Sequence, residues 1–175
     1  MKIISRVSAL VIFVCVLPVL GLSQEKSEDL LGIITVSDLK NEPHATWFKK
    51  NDKAYEVDKS SLTNVDALLD GVEIKIAMGT WCHDSKREVP RFYKIISAAG
   101  GANVEMIALD RQKQAPGNEI AGMDITNTPT FIFYKNGVEL NRIVETPIES
   151  LEKDMVKILS GVDYTHSKLL EKNRE

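Results

Sequence analysis

The stretch that decides the fold runs Val72-Glu73-Ile74-Lys75-Ile76-Ala77-Met78-Gly79-Thr80-Trp81-Cys82-His83-Asp84-Ser85. Val72 to Met78 is a mostly apolar run between glycines and reads as a strand. Beyond it, Val89, Phe92, Tyr93 and Ile96 recur at the spacing of one helix face, so Cys82 to Ala99 reads as a helix with that face buried. Pro90 removes a backbone donor inside this helix and should kink it, and Gly100-Gly101 ends it. A cysteine therefore stands at a strand-to-helix junction. A helix start offers unpaired N–H groups and the positive end of the peptide dipoles, a setting that favours a thiolate over a thiol.

Working outward, Val104 to Leu109 reads as the next strand, and Pro116 to Met123 as a loop carrying a short helix. Thr128-Pro129-Thr130 leads into the apolar run Phe131 to Tyr134. Asn136-Gly137 then marks a tight turn into a second strand, Val138 to Val144. Thr146 with Pro147 and Glu149 has the pattern of a capped helix start, and Gly161 follows its last turn. On the amino-terminal side, Ser61 or Thr63 can cap a helix through Val65, Leu68 and Leu69 that Gly71 closes. Gly32 to Val36 reads as a short strand. Thr46-Trp47-Phe48 and Ala54 to Val57, on either side of Lys49 to Lys53, read as a hairpin or meander. Asp163 to Glu175 reads as a polar, partly frayed tail.

This order of motifs resembles the thioredoxin family: a strand, W-C-x-x-C, a proline-containing helix, a cis-proline before a hairpin, and a last helix. The resemblance covers roughly residues 60 to 160. It implies an α/β thioredoxin-like fold, a mixed central sheet flanked by helices, here with an N-terminal elaboration over Gly32 to Lys59. It also implies that Pro129 is cis, and that the backbone of Thr128 lies beside Cys82 and pairs with an extended substrate segment. Trp81 would form an apolar docking rim. His83, when protonated, would favour the thiolate and Asp84 would oppose it, so the two are read as tuning the thiol. Asp84 also suits the first turn of a helix.

One letter departs from the family pattern. Ser85 stands where a thioredoxin carries its second, resolving cysteine. A hydroxyl can hydrogen-bond a thiolate but cannot displace a mixed disulfide. Thioredoxins also bury an aspartate six residues before the attacking cysteine, to handle the resolving thiol's proton. Ile76 occupies that position, and an unpaired carboxylate buried there would be costly. The two departures read as one loss.

Three functions fit this pattern. In the first, Cys82 is the nucleophile of a monothiol exchange protein, with Ser85 beside it. It forms mixed disulfides with cysteine-containing proteins or small thiols that an external thiol releases. In the second, the groove binds an extended peptide without redox chemistry. The third resembles the C-x-x-S glutaredoxins that carry an iron–sulfur cluster. Trp81 and an oxidising compartment argue against it. No cofactor and no metal are expected, since one cysteine and three scattered histidines make no convincing metal site. His44, Trp47 and His166 read as packing or surface residues.

The first 23 residues differ in kind. Lys2 and Arg6 precede an apolar stretch, Ala9 to Leu22, broken by Pro18 and followed by Gly21 and Ser23 at small-residue positions. That is the pattern of a signal peptide cleaved near Ser23, with Cys15 part of its apolar segment. The stretch falls short of the ~20 residues that a membrane span needs. Cleavage removes two of the 22 basic residues against 25 acidic ones, and the net charge goes from −3 to −5. An acidic chain with no basic block is expected to bind no nucleic acid. An exported, periplasmic or extracellular monomer follows, free of the membrane, with Cys82 as its single cysteine. In such a compartment a leftover thiol is reactive or pairs with another molecule.

Overall fold

The structure is a computed structural model and describes residues 29–174. The expected signal peptide, with its cleavage near Ser23 and Cys15, lies outside the described residues.

Five strands form one sheet in the order β1-β3-β2-β4-β5. These are β1 Gly32–Ile34, β2 Val72–Met78, β3 Asn103–Ala108, β4 Thr130–Lys135 and β5 Val138–Val144. β2 pairs in parallel with β3, while β1, β4 and β5 join antiparallel. The sheet is mixed and flanked by helices, and the architecture is a thioredoxin-like fold. β1 ties the front of the chain to the sheet through Gly32 opposite Ala108.

Alternation along β2 sorts its side chains. Val72, Ile74, Ile76 and Met78 point into the main core with Met106, Phe131, Phe133 and Ile143. Four helices cover this first face: α2 Ala45–Ala54, α3 Val65–Leu69, α4 His83–Ala98 and α5 Leu151–Leu159. Phe92 of α4 lies at its centre, 4.6 Å from the Phe131 ring and 6.1 Å from Phe133. α1, Val36–Leu39, contributes the buried Leu39 to the same core.

The other face is different. Ala77, Ile107, Leu109, Met123 and Ile132 form a small cluster with Ala115, Ile120 and Ile125 of the connection between β3 and β4. Arg142 pins this connection by donating to the Met123 carbonyl at 2.6 Å. Farther from it, the Lys75–Glu105 pair, 2.9 Å apart, is partly open to water. α6, Ser167–Lys172, packs beside β5 on this side.

Several expectations are corrected. Thr46 to Val57 is not a hairpin: Ala45–Ala54 is α2, with Ala45 and Phe48 buried three residues apart. Lys94 of α4 donates from its Nζ to the carbonyls of Asp52 and Tyr55, at 2.7 and 2.8 Å. It thereby satisfies the end of α2 with a cation where the dipole favours one. The cap before α3 is not Ser61 or Thr63. Asp58 instead accepts from the N–H groups of Ser60 and Ser61 in a 3-10 turn, and Asn64 precedes α3 with φ +61°. Pro116 to Met123 holds turns and no helix.

α5 starts at Leu151, not after Thr146. Ser150 caps it by accepting from Lys153 N–H, and the buried Asp154 accepts from the N–H groups of Ile148 and Glu149. Those contacts hold the Pro147 segment as a loop. The tail is not simply frayed, since it carries α6, capped by His166 Nδ1.

Candidate functional site

β2 ends at Met78, and the chain turns through Gly79 and Thr80 into α4, with Cys82 as the residue before its first turn. Cys82 N–H bonds to Gly79 O at 3.0 Å and Cys82 O accepts from Lys86 N–H at 3.1 Å, so the backbone turn is fixed on both sides. Cys82 is half-buried and is a free thiol.

Forty-six residues further along, the Thr128–Pro129 bond is cis. The Cys82 Sγ–H donates to the Thr128 carbonyl oxygen at 3.1 Å. Thr128 and Thr130 are buried. Among the described residues the Thr128 N–H has no hydrogen-bond partner within the chain. The structure thus brings together Cys82, Thr128 and Pro129 as the sequence led one to expect.

Trp81 flanks them. Its indole N–H donates to Leu109 O at 2.8 Å. The ring lies against Gly79, where an added Cβ would come within 2.5 Å of indole Cε2. Glycine at 79 is thus what lets the ring lie flat on the turn. The Arg111 guanidinium sits over the ring, 5.5 Å from its centroid. Asp29 faces Arg111 at 3.8 Å and accepts from the Thr80 hydroxyl at 3.3 Å, while Leu30 N–H donates to that hydroxyl. The front segment therefore laces onto the turn that carries Cys82, a link that no motif announces.

Ser85 is fully buried one turn into α4. Its hydroxyl does not bond the sulfur. It accepts from Gly79 N–H at 3.2 Å, which makes it a fastener of the turn. Ile76 is fully buried in the strand below. The two tuning candidates part company. The His83 side chain is 88% exposed. Asp84 is engaged by Arg87 at 2.6 Å, so its charge is shared. Arg87 also bonds the buried Glu88 at 2.5 Å, and Arg91 meets Glu88 at 3.3 Å.

Neither His44 nor His166 is hydrogen-bonded to Cys82, Trp81 or Thr128 among the described residues. His44 is buried edge-on to Trp47, and its burial with the nearby Lys86 holds its pKa below the usual histidine range. Burial and Arg142 do the same to His166. Among the described residues no cluster of three or more His, Cys, Asp or Glu could hold a metal ion. No helix among them is long and apolar enough to cross a membrane.

Comparison with known proteins agrees with the fold. Over 78 residues the chain is 30% identical to a thioredoxin-like protein of Acanthamoeba polyphaga mimivirus. The aligned part is 45% of this chain and 56% of that protein, so the chain spans little more than half the length of this relative. No protein-family profile matches the chain. The fold is thioredoxin-like, and this partial similarity agrees with it.

Proposed function

We propose that this chain is an exported monothiol protein of thiol–disulfide exchange that acts through Cys82. The observation that carries the reading is the Sγ of Cys82 at a helix start, 3.1 Å from the Thr128 carbonyl. The Cys82 thiolate attacks one sulfur of a partner disulfide. A new bond joins Cys82 to that sulfur, and the other sulfur leaves as a thiolate. A second thiol, external or from the partner, then attacks the partner's sulfur in the adduct and returns Cys82. Each cycle moves a disulfide from one pair of sulfurs to another, its total number unchanged, without an internal disulfide in this chain.

The partner is a cysteine-containing protein or a small thiol. An extended partner segment pairs with the unpartnered backbone N–H of Thr128, as at a sheet edge, with Trp81 and Pro129 as the rim. Ser85 supports the turn and takes no part in bond exchange. Isomerisation, removal of small-thiol adducts and covalent holding of a client all use this cycle. The export signal of the first 23 residues supplies the oxidising surroundings in which disulfide substrates persist, and sequencing the amino terminus of the secreted protein checks it.

Intact-mass measurement after incubation with a small symmetrical disulfide tests the reading. One half-disulfide should add to the wild type and none to Cys82→Ser. Tight binding of a peptide without any adduct would leave a peptide-binding module in place of an exchange protein.

A further inference from the structure

We infer that Glu145 and Lys168 are positioning residues for the Thr128–Pro129 loop, so that the C-terminal helix α6 sets the wall against which a partner of Cys82 docks. The inference rests on the exchange reading of Cys82.

The observations form one chain of contacts. The Thr128–Pro129 loop precedes β4, and ladder pairing does not begin until Thr130 opposite Val144. One residue beyond that pair, Glu145 N–H donates to Pro129 O at 2.7 Å. The Glu145 side chain folds back to the same loop, where its Oε1 accepts from Asn127 Nδ2 at 3.1 Å. Asn127 O in turn accepts from the Thr130 hydroxyl at 2.7 Å. The other carboxylate oxygen of Glu145 meets Lys168 Nζ of α6 at 2.6 Å. Glu145 thus holds the loop by its backbone and its side chain, and α6 holds Glu145.

Glu145 has φ +64°. Non-glycine residues adopt this left-handed region infrequently, and such a conformation persists where its surroundings over-determine it. Here three bonds do so. Burial pushes the Glu145 carboxyl up, but the bonds from Lys168 and Asn127 outweigh it and leave the group below the usual carboxylate range. The link is therefore an ion pair at neutral pH.

α6 is itself fastened to this corner. The Ser167 hydroxyl lies 2.7 Å from Val144 O and 3.2 Å from Thr146 O. Asn141 Nδ2 donates to Tyr164 O at 2.9 Å, and the Tyr164 hydroxyl donates to the buried Asp154. Lys168 also bonds Glu171 at 2.9 Å, which orients its ammonium along the helix. The segment after α5 therefore runs back over the end of β5 and delivers one cation to the loop's anchor.

The test uses Lys168→Met, Lys168→Arg and Glu145→Gly in the full chain. Glycine keeps the left-handed backbone accessible while it removes the carboxylate. Two quantities are read. The first is hydrogen exchange of the residue-145 amide, which donates to Pro129 O. The second is the rate of mixed-disulfide formation with a disulfide-containing extended peptide, divided by the rate with a small symmetrical disulfide. A role in fold stability alone would leave that ratio unmoved. Lys168→Met and Glu145→Gly should speed exchange at that amide, relative to the intrinsic rate of the residue there, and lower the ratio by roughly tenfold, and Lys168→Arg should restore both. Unchanged amide exchange overturns the inference whether or not Cys82 reacts. Faster exchange with an unchanged ratio overturns the positioning role. A wild type that forms no adduct with either disulfide refutes the exchange reading, and amide exchange still decides the link between α6 and the loop.

Discussion

The two faces of the sheet are built to different rules. The first is carpeted by α2, α3, α4 and α5 and holds the large core around Phe92, Phe131 and Phe133. The second has a small apolar patch under the β3–β4 connection, α6 beside β5, and a charged pair open to water. Even Ile33 of β1, whose register partner is the buried Ile107, is 64% exposed there. The site lies on the seam. Cys82 is set by β2 and α4, which belong to the first face. Thr128 and Pro129 follow the irregular connection and are held by single hydrogen bonds. Stability and the placement of the thiol come from one face, and the partner-facing wall comes from the other.

The largest expected effect breaks the first face. Phe92→Ala should cost about 3–5 kcal/mol in denaturant unfolding, because a ring wedged among two others leaves a cavity that β-strands cannot close. Ile132→Ala, under the irregular connection, should cost about 2 kcal/mol, the low end for such a truncation, because a loop can settle into the gap. Equal costs would erase the contrast between the faces.

At the seam, Ser85→Ala should cost about 1–2 kcal/mol by orphaning the Gly79 N–H. It should leave adduct formation at Cys82 intact. A collapse of reactivity with unchanged stability would mean that the hydroxyl serves the sulfur after all.

The smallest effect compares one histidine per face. His44, beside α2, and His166, at the start of α6, both have pKa values depressed by burial. The unfolded chain therefore binds protons more readily than the fold below about pH 6.5, the ordinary value. The stability that depends on neutral histidines is complete above that pH and is lost as pH falls beneath it. Thermal unfolding from pH 7.5 to 5 should show a modest decline. His166→Asn keeps a capping side chain for α6 and should make the decline shallower. An equal or steeper slope would show that His166 does not report on that face.

The contrast also explains what the sequence made legible. β2, α4, β3 and the β4–β5 hairpin are specified locally, by alternation, helical spacing and the Asn136-Gly137 turn, whose residues take φ +54° and +74°. Trp81, Cys82 and Ser85 were legible because a motif at a strand-to-helix junction places them, and the Thr128-Pro129 step because it stands directly before the apolar run of β4. α2 was missed because Lys49 to Lys53 has turn-like composition, while its end is satisfied by Lys94, some forty residues away. The start of α5 was misplaced because the buried Asp154 captures the N–H groups of Ile148 and Glu149. The role of Ser85 and the tie from Lys168 to Glu145 depend on contacts that no local pattern encodes. Leu169 and Leu170 in an otherwise polar tail, with Lys168 and Glu171 one turn apart, were the available signal for α6.

The most direct test of the central claim is the fate of the Cys82 adduct after it forms. The protein is joined to a small-thiol half-disulfide, freed of excess reagent and followed by intact mass, with and without added thiol. The account predicts an adduct that persists alone and is released only when the thiol is added, because Ser85 cannot displace it. An adduct that resolves by itself, or one that never forms, would contradict the monothiol mechanism.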